Sequence, residues 1–182
     1  MNTKERLIAT TADLISKKGF RGMGINEVLA MVEVPKGSLY HHFPKGKESL
    51  VTEAVKYGGR AQMDRYAAAL KGKGAEEGLL AIIDVMIEDL ENSDFCEACP
   101  IAIVALEASE STEDIRKACD DMFKSWQLGL ARYLEKRGIS NGLEKAEQFY
   151  ALLEGGFILS KAHRDVKYLE QQKKLIGLIL KA

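Results

Sequence analysis

The sequence predicts an all-α protein. Apolar residues recur at i, i+3, i+4 and i+7 through nearly every segment, and no stretch sustains the alternation of a half-buried strand. The three prolines, Pro35, Pro44 and Pro100, all fall at segment edges, where a missing N–H does least damage.

The first helix starts at Asn2, an N-cap residue, with Glu5 placed three positions on to return the bond. Leu7, Ile8, Ala12, Leu14 and Ile15 give it an apolar stripe, and Gly19 suits the left-handed position that ends a helix. The second helix, Ile25 to Val32, buries Ile25, Val28, Leu29 and Val32. A very short third helix, Lys36 to His42, stops at Phe43-Pro44, because proline disfavours helical geometry in the residue before it. The fourth runs from Lys47 to about Ala69, and the "KGKG" of Lys71 to Gly74 breaks the chain after it.

"GLLAIIDVMIEDL" follows, apolar almost all round, as expected of a helix in the middle of a bundle. "CPIAIVALEA" opens with Pro100 at a first-turn position and reads as a short, buried helix. Ser111 and Asp114 resemble a capping box for the next helix. That helix carries Ile115, Cys119, Met122, Phe123, Trp126, Leu130, Tyr133 and Leu134 at helical spacing and ends at Gly138. Leu143 to His163 and Val166 to Lys181 complete the set.

With 182 residues and 46% hydrophobic content, the chain can bury a real core, and 29% charged residues favour solubility. It has no apolar run long enough for a membrane span, and its polar, amphipathic start is unlike a secretory signal, so a cytoplasmic location is expected. Charge is uneven. Up to Arg60 there are ten Lys/Arg against six Asp/Glu, and thereafter sixteen against twenty-one. A basic N-terminal end on an acidic body suits contact with a polyanion. Three cysteines, Cys96, Cys99 and Cys119, do not make a disulfide framework. The sequence offers no Ser-His-Asp set, no paired catalytic carboxylates, no phosphate-cradling glycine loop and no metal cluster, so neither an enzyme nor a cofactor is expected.

Donors and cations concentrate in "VPKGSLYHHFPKGKESL", Val34 to Leu50. Two short helices joined by a tight turn after a longer helix match the helix-turn-helix plan. A reading helix must be short and project side chains into the major groove, with hydroxyls and lysines beside it to hold phosphates. Ser38 and Tyr40 supply hydroxyls, Lys36, Lys45 and Lys47 supply charge, and Gly37 permits close approach to the DNA backbone.

The residues Gly19-Phe20, Ile25, Val28, Ala30, Val34 to Tyr40, His42-Phe43 and Lys47 to Leu50 resemble the DNA-binding domain of the tetracycline-repressor (TetR) family of bacterial transcription regulators. "CPIAIVALE", Cys99 to Glu107, is similar to a segment of the branch that includes the LmrA and YxaF repressors. The resemblance implies a helix-turn-helix DNA-binding domain over residues 1–46 and a helical ligand-binding and dimerisation domain over 47–182. It implies that Tyr40 and Lys47 contact phosphates, that Lys36, Gly37, Ser38 and His41 face DNA with Lys45 beside them, and that Leu39 and Phe43 are core. Two positions depart from the family. Gly24 stands where Thr or Ser usually caps the second helix, and Glu33 where the turn usually holds glycine. Glu33 must either adopt a left-handed conformation or reshape the turn.

The resemblance further implies a homodimer on a palindromic operator, released by a small-molecule inducer. Met86, Cys99, Ile103, Met122, Phe123, Trp126, Phe149 and Phe157 suit an apolar or aromatic ligand, and equally suit plain core. Glu107, ending an apolar run, either orients that ligand or reaches solvent. Leu152, Leu153, Gly156, Ile176 and Ile179 in the last two helices are the candidates for dimerisation. Gly155-Gly156 within a helix suggests close approach by another helix or a ligand. The rival readings are a thiol switch using Cys96 and Cys99, and a helical binding protein without DNA.

Overall fold

The computed structural model describes residues 1–97, 99–109 and 112–181. All of its regular elements are helices: α1 Thr3–Gly22, α2 Ile25–Val32, α3 Lys36–His42, α4 Lys47–Leu70, α5 Ala75–Asn92, α6 Pro100–Glu107, α7 Glu113–Glu135, α8 Gly142–His163, α9 Lys167–Lys173 and α10 Ile176–Lys181. The capping box expected from Ser111 lies outside the described residues. The chain divides into two compact units, Met1–Ala61 with Cys99–Phe123, and Gln62–Ala98 with Lys124–Ala182.

In the first unit α1 begins with the reciprocal cap expected of Asn2 and Glu5, each side chain accepting the other's backbone N–H at 2.9 Å. Leu7, Leu14 and Ile15 on α1, Val28, Leu29 and Val32 on α2, and Leu39 and Phe43 are all buried. This apolar set orients the short helices, because α2 and α3 are too short to be stable alone. The Arg6 guanidinium donates to the Val32 carbonyl at 2.7 Å, satisfying a C-terminal acceptor of α2 from α1. Gly19 does not end α1. It interrupts it at φ 72°, ψ 174°, a region open almost only to glycine, and helical turns resume to Gly22. Residue Glu33 takes the left-handed route, at φ 57°, ψ 48°. The helix α6 departs from the sequence expectation. Ile101 and Val104 are buried, but Leu106 is 78% exposed within this chain.

In the second unit α5 buries Leu79, Ile82, Ile83, Met86, Ile87 and Leu90. Tyr66, Trp126 and Tyr150 form an aromatic cluster with centroids 5.9–6.4 Å apart, and Phe149 meets Tyr150 edge-on at 5.7 Å. Helices α8, α9 and α5 pack on one another. Gly156 permits the closest approach: a Cβ there would stand 2.1 Å from Nε2 of Gln172 on α9. The single helix expected from Val166 to Lys181 is two, α9 and α10. The turn between them is held by bonds from Lys174 N–H to the Gln171 carbonyl and from Leu175 N–H to that of Gln172. No proline or glycine forces this break; Leu169, Ile176 and Ile179 stay buried on either side of it.

Candidate nucleic-acid interface

Helix α3 is anchored from below by Leu39, 1% exposed, and Phe43, 2% exposed. Lys36, Gly37, Tyr40 and His41 are exposed and fall at i, i+1, i+4 and i+5, one outward face. Ser38 is half-buried. The His41 and His42 rings meet edge-on at 4.8 Å. No side chain caps α2, since Gly24 occupies its N-cap.

The two flanking lysines differ in setting. Lys45 is exposed and its ammonium pairs with the Asp114 carboxylate on α7 at 2.6 Å. That hydrogen bond raises the Lys45 pKa and lowers that of Asp114. Lys47, at the start of α4, is half-buried. It donates to the Met23 carbonyl at 2.7 Å and lies over the Phe20 ring, 4.8 Å from its centroid. Burial lowers its pKa, while the Glu107 carboxylate acts in the opposite sense. An ammonium has three N–H donors, so the Met23 contact leaves two for a phosphate.

The structure gives Glu107 a specific engagement that neither sequence-based role describes. Its carboxylate accepts the backbone N–H groups of Phe20 at 2.6 Å and Arg21 at 3.1 Å. A Cβ on Gly19 would lie 2.6 Å from its Oε1. The only sequence signal was a lone carboxylate at the end of an apolar helix. In the sequence Asp114 is the last position of a capping-box pattern, and nothing local marks it as the partner of Lys45.

Of the ligand candidates, Cys99, Ile103, Glu107, Met122 and Phe123 belong to the first unit, and Met86, Trp126, Phe149 and Phe157 to the second. Cys99, Met122, Met86, Trp126, Phe149 and Phe157 are buried, whereas Ile103 and Phe123 are half-buried. Of the dimerisation candidates, Leu153, Gly156, Ile176 and Ile179 are buried within the chain and Leu152 is half-buried. The large apolar side chains left exposed along α8 to α10 and the turn between the last two are Leu143, Ile158, Leu159, Leu175 and Leu178. Among the described residues, no group of three or more His, Cys, Asp and Glu side chains is placed to hold a metal, and no helix is long and apolar enough to cross a membrane.

Comparison with known proteins agrees with this geometry. Residues 7–54 match the family described as bacterial regulatory proteins, tetR family, and residues 75–175 match the C-terminal domain of LmrA/YxaF-like transcriptional regulators. The chain is 30% identical to the HTH-type transcriptional regulator YxaF of Bacillus subtilis, over 90% of this chain and 87% of that protein. It is also 30% identical to the HTH-type transcriptional repressor NemR of Escherichia coli, over 93% and 89% respectively. The crystal structure of the reduced form of E. coli NemR superposes with a TM-score of 0.86, at 28% identity, over 97% of this chain and 95% of that one. A short helix presented by two others, basic on its outer face and joined to an LmrA/YxaF-like body, places this chain in the TetR family of bacterial transcriptional regulators.

Proposed function

We propose that the protein is a homodimeric repressor that binds a palindromic operator and leaves it when a small apolar or aromatic molecule binds the body. The observation that carries the DNA half of this reading is the outward face of α3. Lys36, Gly37, Tyr40 and His41 are exposed while Leu39 and Phe43 lock the helix in place. Arginine and lysine side chains pair with guanine edges in the major groove, and hydroxyls and cations at the flanks hold phosphates. Lys36 and His41 are thus assigned to the bases, and Ser38, Tyr40, Lys45 and Lys47 to the backbone. Residues 1–46 act as the reader and 47–182 as the responsive, dimerising body.

The ligand half rests on the body's aromatic and sulfur content, with Trp126, Phe149, Phe157 and Met86 as its strongest components. Release needs differential affinity: a ligand that weakens operator binding 100-fold must favour the released state by about 2.7 kcal/mol. Dimerisation through α8 to α10 would use the exposed Ile158, Leu159, Leu175 and Leu178, since the inner residues are already spent on the subunit's own core. Footprinting on DNA flanking the protein's own gene tests the reading. A protected two-fold repeat with half-sites about one helical turn apart is expected. Protection that follows no sequence would overturn it.

A specific observation also favours a thiol-responsive variant of this function. Cys96 is exposed, and the segment carrying it is pinned by the Lys161 ammonium, which donates to the carbonyls of Phe95, Cys96 and Glu97 at 2.9, 2.6 and 3.0 Å. The similar E. coli NemR has been solved in a form named as reduced. Under this variant, peroxide weakens operator binding and dithiothreitol restores it, and Cys96→Ser abolishes the response. A response that survives Cys96→Ser removes the variant.

A further inference from the structure

We propose that Glu107 is a positioning residue for DNA binding, acting through the tail of α1 on Lys47. The inference rests on the proposed role of Lys47 at phosphate, and it concerns contacts within the first unit alone.

Two independent features of the chain meet at one carboxylate. Gly19 adopts a backbone conformation that frees the next amides from the helical ladder, because its ψ of 174° turns the chain out of the helix. The Glu107 carboxylate accepts the Phe20 and Arg21 N–H groups that follow this turn. A Cβ at 19 would stand 2.6 Å from Oε1 of that carboxylate, so a larger residue there would push the carboxylate from its place. A backbone break that glycine tolerates best and the room its missing side chain leaves thus serve the same contact, bridging 86 and 87 residues of sequence.

The clamp continues to Lys47. The Phe20 ring, whose own amide is held, forms the surface under the Lys47 ammonium. Met23, which follows the clamped turn and is itself fixed by its N–H bond to the Gly19 carbonyl, supplies the acceptor for that ammonium. These two contacts, with the charge of the Glu107 carboxylate beside them, hold the half-buried ammonium in one direction. Removing the carboxylate takes that acceptor from two amides, lets the turn after Gly19 loosen, and releases the ammonium from one orientation. An ammonium so released no longer meets its phosphate, and the cost to DNA binding is the loss of that one contact. Glu107 ends α6, so a displacement of α6 would reach a phosphate-binding cation without touching the reading helix.

The experiment is a double-mutant cycle on operator affinity across a salt series, using Glu107→Ala, Glu107→Gln, Lys47→Ala and the Glu107→Ala/Lys47→Ala pair. Circular dichroism and sedimentation serve as checks on folding and assembly. Glu107→Ala is expected to lose about tenfold in affinity and, like Lys47→Ala, about one unit of salt slope. Glu107→Gln keeps an acceptor oxygen and should stay within about threefold of wild type. The double mutant should bind no worse than Lys47→Ala, as for two residues acting through one contact. Should Glu107→Ala not fold, Glu107→Asp, one methylene short of the amides, carries the same comparison. Amide exchange at Phe20 and Arg21 should accelerate in the alanine variant.

Losses that add, an unchanged salt slope, or tighter binding by both Glu107 variants would overturn the proposal. The last would show a carboxylate that merely repels DNA. Wild-type protein that binds no DNA at any salt overturns the proposed function and this role together. Additive losses in a protein that does bind overturn this role alone.

Discussion

At the scale of single residues, most of the unusual chemistry concerns groups in positions that do not suit them. Glu33 holds a left-handed conformation that costs a non-glycine residue about 1 kcal/mol. Glu33→Gly should therefore stabilise the fold by roughly that amount, seen as a higher midpoint in urea. It should also tighten operator binding by removing a negative charge beside α3; an unchanged midpoint would mean that the turn relaxes in solution. The thiols separate by burial in the same way. Cys119 is buried and its thiol is pushed up to about 11 by desolvation, whereas Cys96 is exposed. Only thiolates are alkylated at useful rates. With iodoacetamide at pH 8, Cys96 should react in the native protein and Cys119 only after unfolding, as mass spectrometry of peptides would report.

At the scale of elements, the bounds of α2 and α3 match the sequence reading at Ile25, Val32, Lys36 and His42. Their signals are local: a four-residue apolar spacing, a proline at the entrance of α3 and another just beyond its exit. What escaped was tertiary. The break between α9 and α10, at Lys174 and Leu175, has no proline or glycine of its own. The Glu107 clamp joins residues far apart in sequence, and no periodicity in either segment announces the other. Gly155-Gly156 was legible as a place of close approach, but only the structure assigns Gly156 to Gln172 of α9. Gly156→Ala should cost about 1 kcal/mol, because the Gln172 amide must leave its place and its bond to the Leu152 carbonyl. Gly129→Ala in α7, where a Cβ meets nothing, should gain up to about 1 kcal/mol from helix propensity. Thermal unfolding of the two variants tests the pair of signs; equal shifts would show that α8 and α9 separate easily.

At the scale of the whole molecule, the sequence showed the family more readily than the surfaces that would make it act. Fold class and the reading helix rest on short patterns, so they were accessible. The division of the apolar residues of α8 to α10 between the subunit's core and a partner was not, since helical spacing marks both equally. Ile176 and Ile179 went to the core, and Leu178, 65% exposed, did not. A charge placed among the exposed set tests the assembly: Leu178→Glu should turn a dimer into a monomer in sedimentation, with the helical content kept. Such a monomer should lose most of its operator affinity, because one reading helix cannot span two half-sites.

The central claim is that α3 and its flanking lysines grip a specific DNA site. It is tested most directly by fluorescence anisotropy on DNA from upstream of the protein's own gene, with wild type, Tyr40→Ala and Lys47→Ala compared from low to physiological salt. The account predicts sequence-selective binding by wild type, weakening in both variants, and a salt slope shallower by about one for Lys47→Ala, as loss of one phosphate contact requires. Binding that is equal for all three proteins, or absent on that DNA and on random genomic fragments at low salt, would contradict it.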